Sequence, residues 1–170
     1  MKLRAGVRPA DRDAVRRLVA SSGFFSAEEE EIAVELVDEA LAKGEGPSGY
    51  HFVFAEQAGV PVGYVCFGPI SGTESSHDLY WIVVDQAQRG GGLGRVLEQA
   101  CLDAVRALGG RRVYVDTSSR DQYAPTRAFY RACGYAEAAR LPDFYAPGDG
   151  KVIFAKTLDA PPPPGAASPA

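Results

Sequence analysis

Residues 88–95 read Gln-Arg-Gly-Gly-Gly-Leu-Gly-Arg, between an apolar run, Leu79 to Val84, and an amphipathic helical pattern. A strand, then glycines, then a helix start leaves several backbone N–H groups unpaired at one place, and the macrodipole adds partial positive charge there. That arrangement binds phosphate. Glycine at 90, 91, 92 and 94 lets an anion approach the backbone without meeting a Cβ. A nucleotide P-loop would close on Gly-Lys-Ser/Thr, whereas Gly94 is followed by Arg95-Val96. A dinucleotide loop would run Gly-x-Gly-x-x-Gly after the first strand, but Gly90-x-Gly92 runs on to Arg95 in mid-chain. Both nucleotide readings fail on the residues themselves.

Other side chains with chemical potential lie on either side of this loop. Asp78, Tyr80, Ile82 and Val84 share one strand face if period-two alternation holds along the run. Asp78 is a candidate proton acceptor, with Glu74 and His77 as alternatives. Phe24, Phe25, Tyr80, Asp143, Phe144 and Tyr145 are aromatic and acidic side chains that could contact a ligand. Each is also a type that packs or turns.

The elements that would position these groups are legible in order. Residues 2–7 form a short strand, and Pro9 opens a helix with Ala14, Val15, Leu18 and Val19 on one face. Ser26-x-x-Glu29 is a capping box for a second helix, expected to bury Ile32, Ala33, Leu36, Val37, Ala40 and Leu41. Residues 44–49 read as a loop, and 50–56 with 60–67 as a hairpin around Gln57-Ala58-Gly59. A strand at 78–84 leads into the glycine loop. The next helix should bury Val96, Leu97, Ala100, Cys101, Ala104, Val105 and Leu108 and stop at Gly109-Gly110. Val113 to Val115 is a strand, and Pro125 suits the first turn of a helix that Gly134 ends. Residues 135–140 and 151–158 pair as final strands across a Pro142–Gly150 loop. Residues 159–170, Pro- and Ala-rich, should be disordered. One α/β (α+β) domain over 1–158 follows.

Composition narrows the function. The chain has 170 residues, 46% hydrophobic and 24% charged, an ordinary globular balance. Its 18 basic and 22 acidic residues give a net charge of −4 without a long basic run, which disfavours nucleic acid. No apolar stretch approaches a membrane span, and no signal-peptide pattern opens the sequence, so cytoplasmic residence is the default expectation. Cys66, Cys101 and Cys133 are widely spaced within apolar patterns, and with only two histidines a metal site is not expected.

Arg89-x-x-Gly92-x-Gly94 resembles the Arg/Gln-x-x-Gly-x-Gly/Ala motif of the GNAT superfamily of acyl-CoA-dependent N-acetyltransferases, which holds the coenzyme A pyrophosphate. Ala128-Phe129-Tyr130-Arg131-Ala132-Cys133-Gly134-Tyr135 resembles the family's helix-ending pattern of aromatic-Tyr, three residues, then Gly-Phe/Tyr. The element order β-α-α-β-β-β-α-β-α-β-β is similar to that fold across residues 1–158. The resemblance implies a mixed sheet of about six to seven strands, splayed between the fourth and fifth, with about four helices. It implies acetyl-CoA as donor, a small-molecule primary amine or amino acid as acceptor, and a final hairpin that pairs two subunits into a homodimer.

By the same resemblance Ile82, Val83 and Val84 would bond the pantetheine arm as an added strand. Amides from Arg89 through Gly90, Gly91, Gly92, Leu93 and Gly94 would hold the pyrophosphate, with Arg89 and Arg95 beside it. Tyr130 would give a proton to the departing thiolate, and Asp78 matches a catalytic glutamate of histone-type members. Phe25, Tyr80 and Tyr145 would line the acceptor pocket. One departure is Tyr123, where many relatives carry an asparagine that touches the cofactor arm. A coenzyme A sensor and a peptide N-acetyltransferase are the alternative readings.

Overall fold

The computed structural model describes residues 1–159; the tail expected to be disordered lies, beyond Asp159, outside the described residues. In chain order the elements are β1 (Lys2–Ala5), α1 (Asp11–Ser21), α2 (Ala27–Lys43), α3 (Glu45–Ser48), β2 (His51–Gln57), β3 (Val60–Pro69), β4 (Ser76–Val84), α4 (Leu93–Ala107), β5 (Arg112–Ser118), α5 (Ala124–Ala132), β6 (Ala136–Ala146) and β7 (Asp149–Thr157). Seven strands form one sheet in the order β1-β2-β3-β4-β5-β7-β6. All neighbours are antiparallel except β4 and β5.

The sheet separates two cores. One side packs α1 and α2 over Val15, Leu18, Val34, Val37, Phe52, Phe54 and Tyr64. The other packs α4 and α5 over Leu97, Cys101, Val105, Val113, Tyr130 and Phe154. The capping box of α2 is complete: Glu29 N–H donates to Ser26 Oγ at 3.2 Å, and Ser26 N–H donates to Glu29 Oε2 at 2.8 Å. Pro125 sits in the first turn of α5, where no N–H is lost.

Several expectations need correction. The buried stripe of α2 is Ala33, Val34, Val37 and Ala40, while Ile32 and Leu41 are exposed. Two alanines let that helix approach closely, which leaves the larger flanking residues at the rim. On α4, Val96 and Leu108 are exposed and Leu93 and Leu102 are buried instead. Residues 45–48 form a short helix rather than loop, because Glu45 and Gly46 carbonyls are met by the Gly49 N–H. The final hairpin is longer than expected: β6 runs to Ala146 and β7 starts at Asp149. Asp143, expected as a pocket residue, has φ +54° and accepts from Gly148 N–H at 2.7 Å, so it shapes that turn.

The most consequential correction concerns β4. Cys66 pairs with Trp81 and Phe67 with Leu79, so Tyr80 is the extra residue of a β-bulge. Alternation therefore slips. Leu79, Ile82 and Val84 belong to the α4 side, whereas Trp81 and Val83 belong to the α1–α2 side. Asp78, one residue before Leu79, does not share the face of Ile82 and Val84.

Candidate active site

The site begins where β4 and β5 part. They pair only at Ser76–Arg112, His77–Val113 and Asp78–Tyr114. Beyond that point β4 continues to Val84 against β3, and β5 continues to Ser118 against β7. Two strand edges thus face each other across a wedge, with backbone groups free to bond an inserted chain. The wedge opens into a cavity of about 770 Å³.

The glycine loop caps one end of it. Gly90 and Gly92 both have φ +80°, a conformation in which a side chain would be strained. Among the described residues no carbonyl accepts from the amides of residues 90–94, while the next two, of Arg95 and Val96, turn back to Gly92 O. These free amides stand at the N-terminus of the 15-residue α4, where an anion is favoured. Gly94 packs so closely on α5 that a Cβ there would lie 3.2 Å from the Phe129 ring. The loop thus fits a diphosphate.

The wall carries many of the residues expected from sequence. Phe25, Tyr80, Ile82, Val83, Val84, Arg89, Gly94, Tyr130 and Tyr145 all line the cavity. Gly90, Gly91, Gly92, Leu93, Arg95 and Asp78 are not among its lining residues. The Leu93 side chain is core, which leaves it only a backbone amide to offer. Arg95 lines a separate shallow groove between β1 and α4, with Leu3, Val96 and Gln99. Asp78 sits at the paired, closed root of the wedge.

Tyr130 is buried, with its ring against Phe129 (5.3 Å between centroids), Tyr135 (5.5 Å) and Phe154 (5.8 Å). Burial pushes its hydroxyl well above the usual tyrosine range, so it stays protonated and keeps a proton to donate. The end of α5 is held by Lys156, whose Nζ donates to Cys133 O at 2.7 Å and to the buried Glu98 carboxylate at 3.1 Å. This clamp fixes the helix turn that carries Tyr130. Burial raises the Asp78 carboxyl, as does Asp116, against a smaller opposing effect of Lys151. Burial and then Asp78 push the Tyr80 hydroxyl up to about 12.

Several lining residues escaped sequence reading: Trp81, Asp116, Thr117, Ser118, Arg120 and Asp149. Asp116 to Ser118 form the polar end of β5, beyond the Val113–Val115 strand expected from sequence. Trp81 lies on the β4 face opposite Ile82 and Val84, against Phe25. Asp149 precedes Lys151 by two residues in the final hairpin, and its partner Arg120 (3.1 Å) is distant in sequence.

Solved structures share this architecture. A GNAT-family protein from Desulfovibrio desulfuricans is 44% identical, with a TM-score of 0.91 over 93% of this chain and 99% of that one. An aminoglycoside 6′-N-acetyltransferase solved with coenzyme A has a TM-score of 0.74 at 20% identity, over 95% and 99% of the two chains. A ribosomal-protein-alanine N-acetyltransferase from Brucella melitensis has a TM-score of 0.74 at 22% identity, over 93% and 100%. At those identities the last two show the fold alone. No curated protein matches the sequence. Residues 13–135 match the acetyltransferase (GNAT) family, and with the wedge, the glycine loop and the 44% identical relative in agreement, the chain belongs to that family.

Proposed function

We propose that this protein transfers an acetyl group from acetyl-CoA to the primary amine of a small molecule, by direct attack in a ternary complex. One observation carries this reading: the free β4 edge at Ile82–Val84, Arg89 and Gly94 of the glycine loop, and the buried Tyr130 all line a single cavity. Acetyl-CoA supplies the activated thioester. The β4 edge holds its pantetheine arm by backbone hydrogen bonds, and the amides of residues 90–94 with Arg89 hold its diphosphate as charge-assisted donors. A β4 backbone N–H near Val83 or Val84 donates to the carbonyl oxygen as charge develops there.

As the new C–N bond forms, the C–S bond breaks and the sulfur leaves with the electron pair. The Tyr130 hydroxyl gives that sulfur its proton. Asp78 is the proposed acceptor of the amine proton, through water or through Asp116, because it stands at the root of the wedge rather than on the cavity wall. A homodimer joined along β6 belongs to this reading. That strand is exposed over nearly its whole length at the sheet edge, and an unpaired edge is a template for strand pairing.

A thiol-release assay with acetyl-CoA and a panel of amines tests the proposal. Tyr130→Phe should lower turnover at least about tenfold with little change in coenzyme A affinity, the pattern of an interaction made in the transition state. Unchanged turnover would remove Tyr130 from the chemistry.

A further inference from the structure

We infer that the acceptor is an amine carried on a flat aromatic body, an arylalkylamine with a single positive charge, and not a polycation or a peptide. The inference rests on the proposed acetyl transfer and names the acceptor of that site.

Four large aromatic side chains are exposed among the described residues: Phe24 at 41%, Tyr80 at 38%, Phe144 at 51% and Tyr145 at 49%. Three of them, Phe24, Tyr80 and Tyr145, line the same cavity. They come from the α1–α2 loop, the β4 bulge and β6, elements far apart in sequence. Exposed rings that converge on one concave surface mark a binding surface rather than scatter. Their orientations are held from behind. Tyr80 meets Tyr50 edge-on at 5.5 Å, and Phe24 lies between the Arg89 guanidinium (5.5 Å) and the Tyr123 ring (6.3 Å). Beside Phe24, Phe25 packs on Trp81 at 4.8 Å.

Two of the three carboxylates of the wall are already paired with cations. Asp116 pairs with Lys151 at 2.8 Å. Asp149 pairs with Arg120 at 3.1 Å and accepts from the Ser118 hydroxyl. Glu29 accepts from the Ser26 N–H of its capping box. A polycation would find Glu29 alone without a cationic partner and would have to displace Lys151 or Arg120 to reach the other two carboxylates. A monoamine on an aromatic body would find ring faces instead. A ring-lined wall also disfavours the ammonium form by desolvation, and the neutral amine is the form that attacks.

The test compares phenethylamine, hexylamine, kanamycin and an alanine-initiated tetrapeptide in the thiol-release assay, with wild type, Phe24→Ala and Tyr80→Ala. The expected result is a kcat/KM for phenethylamine at least about tenfold above kanamycin and the peptide, the size of burying one phenyl group, and at least about threefold above hexylamine, the size of a ring-on-ring contact beyond its buried area. Both variants should erase that advantage by raising KM for phenethylamine more than for hexylamine. Kanamycin or the peptide as the best substrate, equal rates for phenethylamine and hexylamine, or a preference untouched by both variants overturns the inference.

Coenzyme A titration by calorimetry separates the two failures. Without coenzyme A binding the acetyltransferase reading itself falls. With binding intact, phenethylamine added to the coenzyme A complex should change the emission of Trp81, the one tryptophan of the chain. No change at millimolar amine overturns the aromatic acceptor even where turnover is absent.

Discussion

Tyr130 and Asp78 stand in different environments, and the difference suits the separate roles proposed for them. The tyrosine lies deep among Phe129, Tyr135 and Phe154 and borders the cavity; burial keeps its hydroxyl protonated, so a donor is in place when the sulfur becomes basic. Asp78 is half-buried at the root of the wedge, and burial followed by Asp116 raises its carboxyl. A raised carboxyl is a better base near neutrality than an ordinary one. If Asp78 takes the amine proton, its ionisation sets the acidic limb of the kcat/KM profile. Asp78→Asn should then move the profile to higher pH, where free amine no longer needs a protein base. An unaltered profile would assign the proton to a water chain.

The strand β1 is only four residues long, and side chains rather than ladder bonds tie it to α1. Arg4 is buried and donates to Glu56 at 2.6 Å, to Asp11 at 2.7 Å and to Gly6 O at 2.7 Å, with its guanidinium over the Phe54 ring at 4.6 Å. Asp11, itself buried, also accepts from the Arg8 N–H at 2.7 Å at the start of α1. Arg4→Ala strands a buried carboxylate and should cost about 3–5 kcal/mol, measured by urea unfolding near neutrality. The Arg4 hydrogen bond holds the Glu56 carboxyl below its usual range. A depressed carboxyl contributes stability above its unfolded value and loses it as pH falls through the folded value. The gap between wild type and Arg4→Ala should therefore narrow in acid.

The parted strands make the fold a receptor for a strand it does not itself contain. Filling the wedge should stabilise the native state alone. At a hundredfold excess of coenzyme A over Kd the gain is about 2.7 kcal/mol, a rise of roughly 5–10 °C in Tm for a chain of this size. A calorimetric scan with and without coenzyme A checks it, and an unmoved Tm would mean the wedge does not take the ligand. The opposite edge of the sheet carries the second prediction. β6 is exposed on both faces, and pairing it with a second copy should give a dimer by sedimentation equilibrium. Arg140→Pro, in the middle of that strand, should weaken the dimer, since proline removes a ladder donor.

Local chemistry wrote much of this molecule directly. The capping box at Ser26, Pro125 at the start of α5, the hairpin around Ala58-Gly59 and the glycine turn before α4 depend on neighbours a few residues apart, and each is where the residues place it. The family motifs at Arg89–Gly94 and Phe129–Tyr135 are equally local. Periodicity misled wherever a contact from elsewhere intervened. The bulge at Tyr80 broke an alternation that nothing in the strand's own residues marks, turning Asp78 away from the face of Ile82. Exposed Ile32 and Val96 reflect how closely α2 and α4 settle on the sheet, a distance no single helix encodes. The wall of Asp116, Arg120, Asp149 and Tyr145 exists only once β5, β6 and β7 pair, because charge matching between side chains tens of residues apart is a property of the assembled sheet.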